Sequence, residues 1–211
     1  RNAGVLNARE RLEYLLDDGS FLEAGLHAYS IRPETREKSP ADGKIAGYGK
    51  IDGRPAALVA NDFTVLGASS SQVNMKKMGH MKKTARERRM PLVLLGESSG
   101  GRMPDRMGAS GRATIGQDRE EYRRTRDTPW VSTLMGQSYG SSTWYSVISD
   151  VVFARKGAVM AVTSPRVTSI AISQDISAEE LGGWELHAKT TGLVDAAFDT
   201  DEEVLDAVKT Y

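Results

Sequence analysis

Between Pro91 and Met107 the chain reads Pro-Leu-Val-Leu-Leu-Gly-Glu-Ser-Ser-Gly-Gly-Arg-Met-Pro-Asp-Arg-Met. Leu92 to Leu95 has the length and composition of a strand buried on both faces. It breaks into Gly96-Glu97-Ser98-Ser99-Gly100-Gly101, where adjacent glycines free the backbone for φ > 0 and let a ligand approach N–H groups closely. A strand, a bare turn and a helix start aim amide dipoles at one point, which suits an anion or an oxygen that becomes anionic during a reaction. A tight turn with no ligand satisfies the same pattern. Val131 to Met135 repeats it: a buried run, then Gly136-Gln137-Ser138-Tyr139-Gly140-Ser141-Ser142, then an apolar segment from Trp144 to Ile148. Two such turns can supply two amide donors to one oxygen. A third small-residue patch, Asn61-Asp62-Phe63-Thr64-Val65-Leu66-Gly67-Ala68-Ser69-Ser70-Ser71, follows the run Pro55 to Ala60.

The elements that would carry these turns are short. Asn7 is a plausible cap for a helix through Leu16, with Asp18-Gly19 as its stop. Tyr29 to Asp42 is polar and proline-bearing, as in an exposed loop. Lys44–Ile51 and Pro55–Ala60 flank Asp52-Gly53, a strong hairpin signal. Gln72 to Arg89 has helical composition, with Met75, Met78, Met81 and Ala85 along one stripe. Lys76, Lys77, Lys82, Lys83, Arg86, Arg88 and Arg89 crowd the remainder, as a solvated face or a landing surface for a phosphorylated ligand. Gly108 to Gly116 is expected to be flexible, and Gln117 to Arg126 a charged surface helix. Short buried runs at 151–153 and 159–162, a helix after Pro165, a capped turn at 177–183, a strand at 193–198 and a closing helix capped by Thr200 complete an α/β pattern.

The bulk composition removes several functions. The 211 residues favour one domain. Lys+Arg and Asp+Glu both number 28, so no charge excess points to nucleic acid or a membrane surface. The absence of cysteine excludes disulfides and a thiol nucleophile. No apolar run nears the ~20 residues that span a bilayer. Arg1-Asn2-Ala3-Gly4 lacks a signal-peptide pattern, so a soluble cytoplasmic domain is expected. His27, His80 and His187 lie too far apart in sequence to suggest a metal site, and no metal is expected.

Several motifs in order resemble the biotin-dependent acyl-CoA carboxyltransferase family of propionyl-CoA and methylcrotonyl-CoA carboxylase β-subunit type. They are Ala8-Arg9-Glu10-Arg11, Leu15-Leu16-Asp17, Gly19-Ser20-Phe21, Gly47-Tyr48-Gly49, Asp62-Phe63-Thr64-Val65, Glu97 to Arg102, Met135-Gly136 with Gly140, and Glu179-Glu180-Leu181-Gly182-Gly183. The resemblance covers essentially the whole chain, which matches the N-terminal of the family's two crotonase-like domains. It implies a crotonase-like spiral of ββα units and a coenzyme A thioester as ligand. It also implies carboxybiotin delivered by a biotin carrier protein, a second crotonase-like half that handles it, and trimers or hexamers. Carboxyl transfer onto an acyl-CoA requires a thioester enolate, and losing one preorganised donor to its oxygen typically costs ~3 kcal/mol. Carried over, the donors are Gly100 and Gly101 in the first turn and Gly140 with Ser141 in the second. Arg102, Ser98, Ser99, Lys76, Lys77, Ser69 and Ser70 are the candidates to bind the cofactor, Arg102 foremost for an anion.

The sequence departs from the family where its second turn usually reads Gly-Pro-Cys/Ala-x-Gly-Gly. Here Ser141 brings a Cβ that restricts φ > 0, and Tyr139 adds bulk. A pocket for an unusual acyl group, a different reaction and a loss of activity all fit this departure. The rivals to a carboxyltransferase are a biotin-independent acyl-CoA decarboxylase or hydratase of the same fold, and a non-catalytic assembly subunit.

Overall fold

The structure, a computed structural model, describes residues 4–112 and 118–211. Eight strands share one sheet: β1 (Leu22–Ala24), β2 (Lys44–Ile51), β3 (Arg54–Asn61), β4 (Leu92–Ser98), β5 (Trp130–Tyr139), β6 (Val151–Arg155), β7 (Val159–Ala161) and β8 (Ala196–Phe198). Their order is β1-β2-β3-β4-β5-β6-β8, with β7 attached to β5 off that path. The first three strands pair antiparallel, and the path from β3 to β8 is parallel. At the β2–β3 hairpin Asp52 and Gly53 have φ of 48° and 77°, the two positive values that a tight twisted turn requires. This mixed sheet with helices on both faces is an α/β fold consistent with the crotonase-like expectation.

The two-sided burial expected of Leu92 to Leu95 is present. Val93 and Leu95 join Leu12, Leu15, Val204 and Leu205, from the helices Ala8–Leu15 and Asp201–Thr210, in one core. Leu92 and Leu94 face Met78, Met81 and Ala85 of the helix Gln72–Arg88 in another. Among the described residues capping boxes start four helices, at Asn7, Ser71, Ser177 and Thr200. The segment Tyr29 to Asp42, expected as a loop, holds one short turn of helix, Pro33–Arg36, and then a bend over Pro40–Gly43 whose Ala41 and Asp42 have left-handed backbone. The stretch Gly108–Gly116 lies partly outside the described residues; Gly108–Arg112 is a short helix.

Both glycine-bearing strands run further than their apolar residues suggest. β4 continues through Gly96-Glu97-Ser98, and β5 through Gly136-Gln137-Ser138-Tyr139. Gly96 and Gly136 are therefore strand residues, and each permits a close approach. A Cβ on Gly96 would sit 2.6 Å from the Thr133 carbonyl oxygen, and one on Gly136 would sit 2.1 Å from Glu97 Oε1. β5 also changes partner along its length, pairing Val131–Leu134 with β6 and Gln137–Tyr139 with β7.

The basic helix is not a uniformly solvated face. Lys82 is fully buried, bonds Asp118 at 2.8 Å and pairs with Glu121, and lies 4.2 Å from the Tyr145 ring centroid. The helical turn Arg119–Tyr122, expected at the surface, thereby docks on the long helix, with Arg86 adding two contacts to Glu120. Among the described residues no helix is long and apolar enough to cross a membrane.

Two predictions follow from the buried cations. Lys82→Met leaves the buried Glu121 carboxylate without its cation, with the Trp144 Nε1 donor at 2.7 Å remaining, and is expected to destabilise the fold by about 3 kcal/mol in a denaturant titration. Burial pushes the Lys44 ammonium down to about 7, against the opposing pull of Asp42, and pushes Lys77 down to about 8. From pH 7 up to 10.5, the unfolded-like value, the unfolded chain retains a proton that folded Lys44 has released. Stability is therefore expected to rise with pH in that window. Melts at pH 7 and 9 should show a smaller rise for Lys44→Met than for the unaltered chain.

Candidate functional site

At the end of β4 the backbone turns sharply. Gly100 has φ of 105°, which a side chain tolerates poorly, and it is buried; Gly101 has an ordinary φ, is exposed, and has nothing within 4 Å of where a Cβ would stand. Three backbone hydrogen bonds tie this turn to the loop after β3: Ser99 N to Gly67 O, Ser70 N to Gly100 O and Arg102 N to Ser70 O, each 2.8 Å. Ser70 and Gly101 thus form an isolated parallel bridge. The third small-residue patch is the clamp on the first turn.

The second turn sits at the end of β5. Gly140 has φ of 67°, and its N–H donates to Ala161 O at 3.3 Å on β7. Ser141 begins the helix Ser141–Val147 and is not among the positive-φ residues. The strain expected at Ser141 therefore falls on Gly140, which tolerates it. Thr143 Oγ1 lies within hydrogen-bond reach of the carbonyls of Ser138 and Ala161, at 2.9 and 2.8 Å, its one proton shared between them, fixing the start of this helix against β5 and β7.

The two turns adjoin. A Cβ on Gly140 would lie 3.7 Å from Gly100 Cα, and a Cβ on Gly100 would lie 3.9 Å from Tyr139 Cβ. Tyr139 is buried, and burial raises its hydroxyl pKa. Ser70 Oγ and Ser141 Oγ share a hydrogen bond that joins the clamp loop to the second turn. Among the described residues no acceptor lies on the amides of Gly101 or Ser141, whereas Gly100 N donates to Ser98 Oγ at 3.1 Å. Of the four residues expected to offer amides, Gly101 and Ser141 have theirs unspent, and Gly100 and Gly140 have theirs engaged.

The expected phosphate contacts divide in the same way. Arg102 is buried and ion-paired with Asp42; its Nε bonds Ser69 Oγ at 3.1 Å and its Nη2 the Ser69 carbonyl at 3.2 Å. The anion it meets in the structure is internal, the Asp42 carboxylate. Lys77 is likewise committed, its Nζ donating to the carbonyls of Gly25, Ala41 and Lys44 at 3.1, 2.9 and 2.5 Å. Lys76 on the same helix is exposed. Ser69 Oγ donates to Leu66 O at 2.6 Å, Ser98 is buried beneath the turn, and Ser99 is exposed.

Sequence reasoning missed the residues beneath the site. Asp42 is fully buried, and besides Arg102 it accepts from Ser71 Oγ and from Asn74 N, the latter at 3.1 Å. Lys44 Nζ donates to Asn61 Oδ1 at 2.8 Å, and Asn61 Nδ2 donates to Ser142 Oγ at 3.2 Å, linking β2 through β3 to the second turn. Only the Asn61-Asp62 pair at the end of an apolar run signalled any of this. The histidines take structural partners: His80 meets Tyr48 Oη at 3.1 Å, and His187 meets Met160 O at 2.8 Å and Thr191 Oγ1 at 3.0 Å. No group of three metal-ligating side chains occurs among the described residues.

Comparison with known proteins bears on this geometry. The family model described as carboxyl transferase domain matches residues 1–211. The chain is 33% identical to the propionyl-CoA carboxylase carboxyltransferase subunit of Haloferax mediterranei, over 98% of its own length and 40% of that protein. It is 28% identical to the methylmalonyl-CoA decarboxylase subunit alpha of Propionigenium modestum, over 98% of its length and 41% of that protein. It thus spans about two-fifths of the length of the curated relatives it matches. Among solved structures it superposes on transcarboxylase 12S, a hexamer with methylmalonyl-coenzyme A and methylmalonic acid bound. The TM-score is 0.86 at 27% identity, covering 99% of this chain and 41% of that one. The corresponding values for a chain of a Pseudomonas malonate decarboxylase hetero-tetramer are 0.83 and 26%, covering 98% and 81%. With a family model matched along its full length, the chain belongs to the carboxyl transferase domain family.

Proposed function

We propose that this chain is an acyl-CoA-binding carboxyltransferase domain that stabilises a thioester enolate with backbone amides at the junction of its two glycine turns. The observation that carries this reading is the proximity of Gly100 and Gly140, where a Cβ on Gly140 would meet the Cα of Gly100 at 3.7 Å, beside which the Gly101 and Ser141 amides are unspent. Donors held in place before the substrate arrives reorganise little during reaction, and this is the source of their advantage over water. The polypeptide beneath both turns is fixed by hydrogen bonds to the 67–70 loop and to β7, so the donors are preorganised. The names of the relatives, propionyl-CoA carboxylase and methylmalonyl-CoA decarboxylase, support a coenzyme A thioester as the ligand.

In this reading the chain supplies binding and enolate stabilisation. Carboxybiotin supplies the carboxyl group, presented by a biotin carrier protein and a second crotonase-like half, within an oligomer. Arg102 acts as a structural cation that holds the loop at Ser69, Lys77 ties Gly25 to Ala41 and Lys44 ahead of and within β2, and exposed Lys76 remains available for an adenosine phosphate.

Gly101→Val tests the proposal directly. Its side chain enters open space at an ordinary φ, so circular dichroism and the melting midpoint should be unchanged. Calorimetric titration with propionyl-CoA should show binding at least ~10-fold weaker, since the branched side chain occupies the approach to the amide. Unaltered affinity would remove that turn from the site. Gly100→Val is expected instead to destabilise the fold by about 1–3 kcal/mol in a denaturant melt, because it forces a β-branched residue to φ of 105°.

A further inference from the structure

Ser70 and Ser141 come from segments far apart in sequence and meet where the two turns adjoin. The Ser70 backbone bridges Gly101, and Ser141 directly follows Gly140. Their hydroxyls share one hydrogen bond. Each hydroxyl carries one proton, so the pair spends one and retains one. Burial decides which. Ser70 is 1% exposed, and a buried hydroxyl that fails to donate carries a desolvation cost of about 1–3 kcal/mol. Ser141 is only partly buried. The favoured arrangement has Ser70 donating to Ser141 Oγ, which leaves the Ser141 proton free on the solvent side of the junction. Donation from Ser70 also polarises the Ser141 hydroxyl and strengthens it as a donor.

We propose that the Ser141 hydroxyl, oriented by Ser70, is a hydrogen-bond donor to the thioester oxygen of the acyl-CoA, adding a side-chain donor to the backbone amides. This rests on the acyl-CoA reading above. It gives Ser141 a role in its side chain as well as its backbone, and it gives Ser70 the role of a positioning residue.

The test compares two ligands that differ only at the carbonyl: propionyl-CoA, and S-propyl-CoA, a thioether without that oxygen. Both are titrated into the full chain and into Ser141→Ala, Ser141→Thr and Ser70→Ala. Ser141→Ala is expected to bind propionyl-CoA about 5-fold more weakly, the value of one ordinary hydrogen bond, and S-propyl-CoA unchanged. Ser141→Thr, which keeps the hydroxyl, should restore most of the loss. Ser70→Ala should show a smaller loss confined to the thioester. Equal weakening toward both ligands would mean a purely structural role and would overturn the proposal, as would no change. Tighter binding of propionyl-CoA by Ser141→Ala would also overturn it, by showing the hydroxyl to be an obstruction. If the unaltered chain binds neither ligand, the acyl-CoA reading itself fails and the proposal falls with it. Binding of both with Ser141→Ala unaffected sinks only the proposal.

Discussion

The site depends on one buried ion pair, Asp42 with Arg102. Asp42 lies in a run of three residues with left-handed backbone, Ala41, Asp42 and Gly43 at φ of 49°, 50° and 71°. Two of these are not glycine, and each such conformation costs on the order of 1 kcal/mol or more unless its surroundings hold it. What holds it is the Asp42 carboxylate, which accepts from Arg102, Ser71 Oγ and Asn74 N and so joins three segments. Arg102 reaches from there to Ser69. One carboxylate therefore caps the long helix, anchors the loop before β2 and secures the first glycine turn. Removing either charge would leave the other buried without compensation, the more damaging way to break such a pair.

Above that foundation, the glycines serve different purposes. Gly96 and Gly136 let neighbouring strands and side chains approach. Gly100 and Gly140 supply the positive φ that ends each strand, and they lie side by side, with room for little more than a methyl group between them. Gly101 needs neither, having ordinary φ and open space. A glycine that its own fold does not require, exposed beside two that it does, fits a residue kept small for something outside the chain.

Much of the fold was legible in the sequence because local rules dominate there. Asn7, Ser71 and Thr200 cap helices, Asp52-Gly53 turns the hairpin, and the methionine stripe is core. The strand ends were less legible, since a glycine admitting a close approach and a glycine making a turn are the same letter; β4 and β5 ran on to Ser98 and Tyr139. The charges were least legible. Nothing near Lys82 or Arg102 in the chain reveals that Asp118, Glu121 or Asp42 will meet them, and burial reverses the meaning of a cation. Thus the glycine turns were legible as a candidate site, while the internal partners of Arg102 and Lys77, Asp42 with Ser69 and the carbonyls of Gly25, Ala41 and Lys44, were not.

The separation of Asp42 from Arg102 also bears on how the molecule is made. The two residues are 60 positions apart, and the residues between them include β2, β3 and the long helix. A nascent chain released from the ribosome only as far as β3 carries the Asp42 carboxylate without Ser71, Asn74 or Arg102, the groups that hold its bend. The bend cannot settle until β4 and the turn after it have emerged. The clamp loop then closes in the same event that completes the first glycine turn, so this corner of the candidate site is acquired as a unit and late, after the β2–β3 hairpin that precedes it in synthesis.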